Sequence, residues 1–260
     1  MEEKFFHLSK NHEGICTYRI NNPPVNALNF EQFKSLLNSI FKSTEDKSVK
    51  VVLLTGEGKT FMAGFDINAI AKVNSPRECF EKTVEVKELL SKLEYLQKPV
   101  IAAINGDCFG GGLELAMACH FRFACEKARF GFPEINIATI PTLGGTQRFP
   151  RLAGKAKAME LLMTGELINA KEALQIGFLN NVFSNEDFEE SLQKITKNIA
   201  KKSLPAIQAV LNSVIYGMDK SLGDAMVWES EISSKLMLTD DLKEGITAFF
   251  ERRKPIFKDR

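Results

Sequence analysis

The chain has 260 residues and an even charge balance, with 34 Lys and Arg side chains against 33 Asp and Glu. A formal charge of +1 gives no electrostatic footprint for nucleic acid or an anionic membrane surface. With 44% hydrophobic and 26% charged residues, the composition excludes disordered, coiled-coil and collagen-like chains, and the length is enough for one large domain with a sizeable core.

In chain order, the first part of the sequence alternates between strand and helix patterns. Residues 1–4 lead almost at once into structured sequence and no apolar run approaches the ~20 residues of a membrane span, so we expect a cytoplasmic protein without a leader peptide. The patterns predict strands at 15–20, 51–54 and 99–104 and helices at 30–41 and 79–96. This rhythm is typical of an α/β core with active-site loops at the strand ends.

From about Gly144 onward the pattern predicts helices. Their predicted ranges are 156–163, 170–176, 188–201, 205–216 and 223–238. We expect a core over residues 1–200, and a helical region over residues 201–260 that packs on the core or on a neighbouring subunit.

A glycine-rich turn at residues 56–60 ends in Gly-Lys-Thr, like a phosphate-binding P-loop. The P-loop also needs a glycine where this chain has Leu53, and the third glycine of a dinucleotide fingerprint would fall at Phe61. The sequence therefore predicts a turn after a strand, without nucleotide binding.

A second glycine cluster, residues 110–112, lies between a predicted strand and an apolar segment. Its backbone N–H groups could face an anion at a helix N-terminus, or the glycines could serve tight packing of helix against strand. Glu114 follows within an apolar run, and Glu134 is another lone acid in apolar surroundings. Two carboxyl groups with different environments can supply one base and one acid, but the spacing alone does not bring them together.

The cysteines and histidines give no sign of a metal or redox site. The five cysteines are odd in number and lack C-x-x-C spacing, so we expect buried free thiols. The three histidines lack metal-ligand spacing, and no Ser-His-Asp motif is present. We therefore expect no metal bound at these residues.

Five ordered segments resemble the crotonase superfamily, and most closely its enoyl-CoA hydratases. They are residues 22–29 (NPPVNALN), 61–67 (FMAGFDI), 101–119 (IAAINGDCFGGGLELAMAC), 130–135 with 140–148 (FGFPEI and IPTLGGTQR), and 252–259 (RRKPIFKD). The resemblance covers essentially the whole chain, and residues 101–119 are its most specific part.

The resemblance implies an α/β crotonase (ClpP-like) spiral of ββα units, a helical C-terminal trimerisation region and assembly as a trimer or a dimer of trimers. It implies an acyl-CoA substrate, catalytic carboxylates at Glu114 and Glu134, and an oxyanion hole of the Phe65 and Gly111 N–H groups. Further implied substrate-binding residues are Ala63, Asp66, Ile67, Asn68, Pro133 and Leu143. From the basic cluster near the C-terminus we expect Arg252 and Lys254 to contact the phosphates of coenzyme A.

The reaction implied by the resemblance is hydration of a 2-enoyl-CoA to a 3-hydroxyacyl-CoA, as in fatty acid β-oxidation, without a metal or a redox cofactor. The alternatives are double-bond isomerisation or another acyl-CoA lyase reaction of the same fold, and a non-catalytic acyl-CoA or RNA-binding protein. RNA binding would favour a face of one charge, whereas lysines and glutamates alternate along the helix predicted at 79–96. Phe65 and Thr142-Leu143 depart from residues common in hydratases, and we expect them to reshape the acyl pocket.

Overall fold

The structure is a computed structural model that describes residues 5–260, so the prediction made on residues 1–4 lies outside the described residues. The strands are β1 (Phe6–Lys10), β2 (Ile15–Ile20), β3 (Val51–Gly56), β4 (Thr60–Met62), β5 (Val100–Ile104), β6 (Asp107–Phe109), β7 (Phe121–Cys125), β8 (Arg129–Gly131), β9 (Ile168–Asn169) and β10 (Asn181–Phe183). The helices are α1 (Phe30–Glu45), α2 (Ile67–Ile70), α3 (Pro76–Glu94), α4 (Gly111–Met117), α5 (Gly145–Ala153), α6 (Lys155–Thr164), α7 (Ala170–Gln175), α8 (Phe188–Ala200), α9 (Leu204–Gly217), α10 (Leu222–Leu236) and α11 (Asp240–Phe250), with a 3-10 helix at Pro133–Ile137.

Two sheets form a spiral. The larger has the order β1-β2-β3-β5-β7-β10 and the smaller β4-β6-β8-β9. The consecutive strand pairs β3–β4, β5–β6 and β7–β8 each contribute one strand to each sheet. Within both sheets these strands pair in parallel, so each turn of the chain adds a layer in the same direction.

Apolar patterning explains the elements that the sequence predicted well. Helix α1 begins at an Asn29–Gln32 capping box and buries an apolar face, Phe33, Leu36, Leu37, Ile40 and Phe41. Strand β5 is buried along its whole length, as expected for a parallel strand covered on both faces. The strands predicted at 15–20, 51–54 and 99–104 are confirmed.

The prediction of helices alone after Gly144 is wrong, because two short strands return to the sheets. Strand β9 pairs antiparallel with β8, and β10 pairs in parallel with β7. With two and three residues, they are too short to produce a recognisable alternation.

The last residues fold back against the C-terminal helices. Asp241 is buried, and its carboxylate accepts N–H bonds from Lys258 at 2.7 Å and Asp259 at 3.0 Å. Asp259 in turn accepts the N–H of Leu204 at 2.9 Å and forms an ion pair with Lys50 near the start of β3. These contacts tie the C-terminal tail to α11, to the start of α9 and to the core.

Two further expectations concern the burial of the cysteines and the absence of a membrane-spanning helix. The cysteines are free, and four of them are buried as expected, but Cys79 is exposed on α3, which corrects that prediction. Within residues 5–260, no helix combines the length and the apolar character needed to cross a membrane.

Candidate active site

Three loops meet at one edge of the smaller sheet. Strands β4, β6 and β8 run parallel, so their carboxyl ends lie side by side. Residues 63–65 follow β4, residues 110–111 follow β6, and residues 132–134 follow β8. The topology therefore gathers three of the segments that the sequence singled out.

These loops enclose a cavity of about 330 Å³, lined mostly by apolar atoms. Of the predicted site residues, the cavity lining contains Ala63, Phe65, Ile67, Gly111, Glu114, Pro133 and Glu134. Helices α1 and α3 complete the wall with Phe30, Cys79 and Thr83, which the sequence analysis did not assign to the site. No local motif marks these three residues, because only the packing of α1 and α3 brings them to the loops.

Glu114 lies on the first turn of α4, and its carboxylate is held by a backbone loop. Its Oε1 accepts the N–H of Leu143 at 2.6 Å and the N–H of Gly145 at 2.7 Å. The side chain is only 2% exposed, and burial, with a further contribution from the negative charge of Glu134, raises the pKa of Glu114 to about 7. The two N–H bonds act in the opposite direction by favouring the ionised form. Glu114 can therefore exchange a proton near neutral pH.

Glu134 lies in the 3-10 helix and faces the same cavity. Burial raises its pKa to about 7 as well. Its Oε2 is buried and accepts no hydrogen bond from the part of the chain described, residues 5–260. A buried oxygen without a partner is costly when charged, which favours the protonated form and leaves a group able to donate to a ligand.

Close contacts beside Glu134 and Phe65 leave no room for a side chain at Gly110 and Gly111. Gly110 has a φ of +47°, and a Cβ there would lie 2.5 Å from Oε1 of Glu134. At Gly111 a Cβ would lie 2.8 Å from Cδ2 of Phe65. A Cβ at Gly112 would overlap the carbonyl O of Met62. Both explanations of the glycine cluster therefore apply, close packing at Gly112 and close approach to the site at Gly110 and Gly111.

The backbone N–H groups of Phe65 and Gly111 lie next to each other at the cavity. The position of a Cβ on Gly111 is 3.5 Å from the Phe65 nitrogen. Phe65 forms a β-bridge with Leu28, but the two bonds of this bridge use the carbonyl of Gly64 and the N–H of Asp66. Within residues 5–260, neither the Phe65 N–H nor the Gly111 N–H donates to a protein acceptor. Both donors are available to a ligand oxygen.

Three predicted substrate-binding residues lie outside the cavity lining. Asp66 caps α2 by accepting the N–H of Asn68 at 2.9 Å, and the Asn68 amide also donates to this carboxylate. Leu143 is buried, and its contribution to the site is the N–H that it donates to Glu114. Direct contact of these side chains with a ligand stays a prediction.

Arg252 and Lys254 lie beyond α11 in the C-terminal tail, exposed and outside the cavity lining. Arg253 between them is paired with Glu244 at 2.6 Å and with Glu251 at 2.6 Å. Contact of Arg252 and Lys254 with coenzyme A phosphates stays a prediction.

His120 and the glycine-rich turn before β4 have structural roles. The Val100 N–H donates to Nδ1 of His120 at 2.9 Å, so Nε2 carries the proton and donates to the carbonyl of Glu94 at 3.1 Å. Burial lowers the pKa of His120 to about 4, which keeps this ring neutral. Residues 57–59 are the predicted turn, between β3 and β4. Within the described part of the chain, no group of three or more His, Cys, Asp or Glu side chains could hold a metal ion.

Comparison with known proteins identifies the family. The family model described as enoyl-CoA hydratase/isomerase matches residues 10–260. The chain is 36% identical over 245 residues to a probable enoyl-CoA hydratase of Bacillus subtilis, covering 94% of this chain and 95% of the relative. It is 38% identical over 247 residues to a crotonyl-CoA hydratase of Syntrophomonas wolfei, again covering 94% and 95%.

Solved structures agree with this result. The crystal structure of an enoyl-CoA hydratase from Bacillus anthracis matches with a TM-score of 0.94 at 33% identity, covering 99% of this chain and all of that one. The chain belongs to the enoyl-CoA hydratase/isomerase family of the crotonase superfamily. The spiral crotonase fold expected from the resemblance is confirmed.

Proposed function

We propose that this protein is a 2-enoyl-CoA hydratase, a hydro-lyase that adds water across the 2,3 double bond of an acyl-CoA to give the 3-hydroxyacyl-CoA. The observation that carries the proposal is the pair Glu114 and Glu134 in one cavity, beside two N–H donors that bond to no acceptor within residues 5–260. The hydratases among the relatives support the same activity.

The two N–H groups would act on the thioester. When water attacks C3, negative charge develops on the thioester oxygen, and fixed donors there stabilise the enolate-like transition state. The N–H groups of Phe65 and Gly111 are adjacent and have no acceptor in the described part of the chain, so both are free to bind this oxygen. In this proposal they form the oxyanion hole.

The two carboxyl groups would move the protons. Glu114, ionised and held by two N–H donors, takes a proton from the attacking water, while Glu134, protonated, gives a proton to C2. Dehydration reverses these roles. Because both groups have a pKa raised to about 7, the enzyme can hold one ionised and one protonated at neutral pH.

The reaction needs no redox cofactor, because addition of water leaves the overall oxidation state of the substrate unchanged. Glu114 and Glu134 account for both proton movements, and the N–H pair accounts for the charge on oxygen. We therefore propose a reaction without metal or cofactor, in which coenzyme A is part of the substrate.

One assay tests the proposed function. Purified protein is scanned against 2-enoyl-CoA thioesters of increasing chain length, and loss of the conjugated enoyl absorbance is followed. Hydration of at least one of them is expected. Movement of a 3-enoyl double bond without hydration of any 2-enoyl thioester would instead establish the isomerase alternative.

A homotrimer or a dimer of trimers, assembled through the C-terminal helices, is part of the proposal. Large apolar side chains of α9, α10 and α11 are exposed in the single chain, among them Val210, Val214, Leu222, Met226, Val227, Phe249 and Phe250. Apolar surface of this kind favours self-association. Light scattering on a sizing column tests it, with a monomer as the contradicting result. The cytoplasmic location stays a prediction from the sequence.

A further inference from the structure

Arg148, on α5, connects the loop that holds Glu114 to helix α3. Its Nη1 donates to the carbonyl O of Leu143 at 3.1 Å, and its Nε donates to Oε2 of Glu94, the last residue of α3, at 3.0 Å. The Arg148 side chain is 15% exposed and that of Glu94 is 39% exposed, so the arginine is largely shielded from water while its partner reaches the surface. A shielded arginine with two directed bonds fixes geometry better than a surface ion pair does.

The loop that Arg148 contacts is the one that supplies the N–H donors to Glu114. Leu143 offers its carbonyl to Arg148 and its N–H to Glu114, and Gly145 offers the second N–H. Gly144 between them has a φ of +111°, and a Cβ there would overlap the guanidinium of Arg148. The arginine therefore packs directly on the bend that turns both N–H groups toward Glu114.

We propose that Arg148, oriented by Glu94, is a positioning residue that fixes the two N–H donors of Glu114 and supplies a positive charge close to this carboxylate. The inference rests on the proposed function, in which Glu114 is the base. Arg148 does not line the cavity, so it acts through the loop and through its charge and does not touch the substrate.

The other charged groups on the elements packed against α4 do not provide this positive charge. Helix α5 also carries Arg151, but that side chain is exposed and donates to the carbonyl of Gln147 at 2.7 Å. Glu134 raises the pKa of Glu114, whereas the charge of Arg148 lowers it. Strand β4, which packs on α4, carries no charged side chain. Strand β6 carries the buried thiol of Cys108 and the carboxylate of Asp107, which pairs with Arg129 at 2.6 Å. Removal of Arg148 should therefore raise the pKa of Glu114.

The experiment compares Arg148→Met, Arg148→Lys and Glu94→Gln with wild type. The matched control is Arg19→Met, because Arg19 also donates to a backbone carbonyl, that of Gly56 at the end of β3 at 3.4 Å, and lies near Glu57, outside the cavity. Two readouts are used: kcat, KM and the pH profile for a 2-enoyl-CoA, and a ¹³C NMR titration of labelled glutamate carboxyls. The Glu114 signal is assigned by its loss in Glu114→Gln.

We expect Arg148→Met to lower kcat about tenfold or more with little change in KM, and to shift both the Glu114 titration and the acidic limb of the pH profile to higher pH. Arg148→Lys keeps the positive charge but loses the planar guanidinium that makes both bonds. In this variant the titration of Glu114 should stay close to that of wild type, while kcat should fall. If Arg148→Met does not fold, Arg148→Lys and Glu94→Gln decide.

Unchanged titration of Glu114 in Arg148→Met, wild-type kcat in both Arg148→Lys and Glu94→Gln, or an equal loss of kcat in Arg19→Met would overturn the positioning role. If wild type hydrates no enoyl-CoA, the proposed function fails, and the NMR titration still decides whether Arg148 acts on Glu114.

Discussion

A methyl group at Gly111 should disable the proposed oxyanion hole. In Gly111→Ala the new Cβ would lie 2.8 Å from Cδ2 and 3.2 Å from Cε2 of Phe65, closer than packed carbon atoms normally come. The ring cannot simply move aside, because it stacks on Phe33 at 5.3 Å and packs against Phe30 at 4.7 Å. The strain must then shift the backbone of Phe65 or Gly111, and with it one N–H donor.

The expected size follows from the loss of one donor. Removal of a single oxyanion donor typically costs about 3 kcal/mol of transition-state stabilisation, on the order of a hundredfold or more in kcat. The assay is the initial rate of 2-enoyl-CoA hydration, with near-wild-type binding of a saturated acyl-CoA as a check on the fold. Gly217→Ala is the matched control, because its Cβ would be no closer than 3.7 Å to a neighbour, and it should keep full activity.

A second substitution separates the steric cause from other causes. Phe65→Ala removes the ring that the new methyl would strike and keeps the backbone N–H. The double variant Phe65→Ala with Gly111→Ala should therefore recover much of the rate lost by Gly111→Ala alone, giving a large coupling in a double-mutant cycle. Wild-type turnover in Gly111→Ala, or purely additive losses in the cycle, would refute the reasoning.

Three further predictions concern the charged groups. First, kcat/KM for hydration, measured from about pH 5 to about pH 9, should be bell-shaped around neutrality, because Glu114 and Glu134 must share one proton; a flat profile contradicts this. Second, burial raises the pKa of Glu134 from 4.5 to about 7, so its contribution to stability is present below pH 4.5 and lost as the pH rises through 7. Glu134→Gln should therefore unfold at higher urea than wild type at about pH 8, and an equal midpoint counts against it. Third, Asp241→Asn should lower the free energy of unfolding by roughly 1.5–3 kcal/mol in urea titrations, because the buried Asp241 carboxylate accepts the N–H of Lys258. The control Asp240→Asn, at an exposed position, should change this free energy little. Equal effects of the two substitutions would contradict a stabilising role of the buried carboxylate.

The sequence predicted the parts of the site that lie in local motifs. Glu114, Glu134, Phe65 and Gly111 each follow a strand of the smaller sheet within a few residues, and parallel strands bring such positions to one edge. The resemblance to the crotonase superfamily indicated that these four residues belong to one site. Spacing alone could not, because the two glutamates come from different turns of the spiral.

The rest of the site depends on packing between distant segments. Cys79 and Thr83 reach the cavity only because α3 packs on α1, and no pattern in α3 marks that face. Arg148 bonds both to the nearby Leu143 and to Glu94, which lies 54 residues earlier in the chain. The structure adds one role that the motif did not indicate, since the Asp66 side chain caps α2, while its contact with a ligand stays a prediction.

The central claim is that Glu114 and Glu134 together carry out hydration. The decisive measurement is the hydration rate of a 2-enoyl-CoA in wild type, Glu114→Gln, Glu134→Gln and the double variant, because Gln keeps the size of Glu and cannot exchange the proton. We predict that each single variant folds, binds acyl-CoA and loses about a hundredfold or more in rate. The double variant should lose much less than the product of the two single losses, because the groups act as a unit. Near-wild-type hydration by Glu114→Gln or by Glu134→Gln would contradict the account.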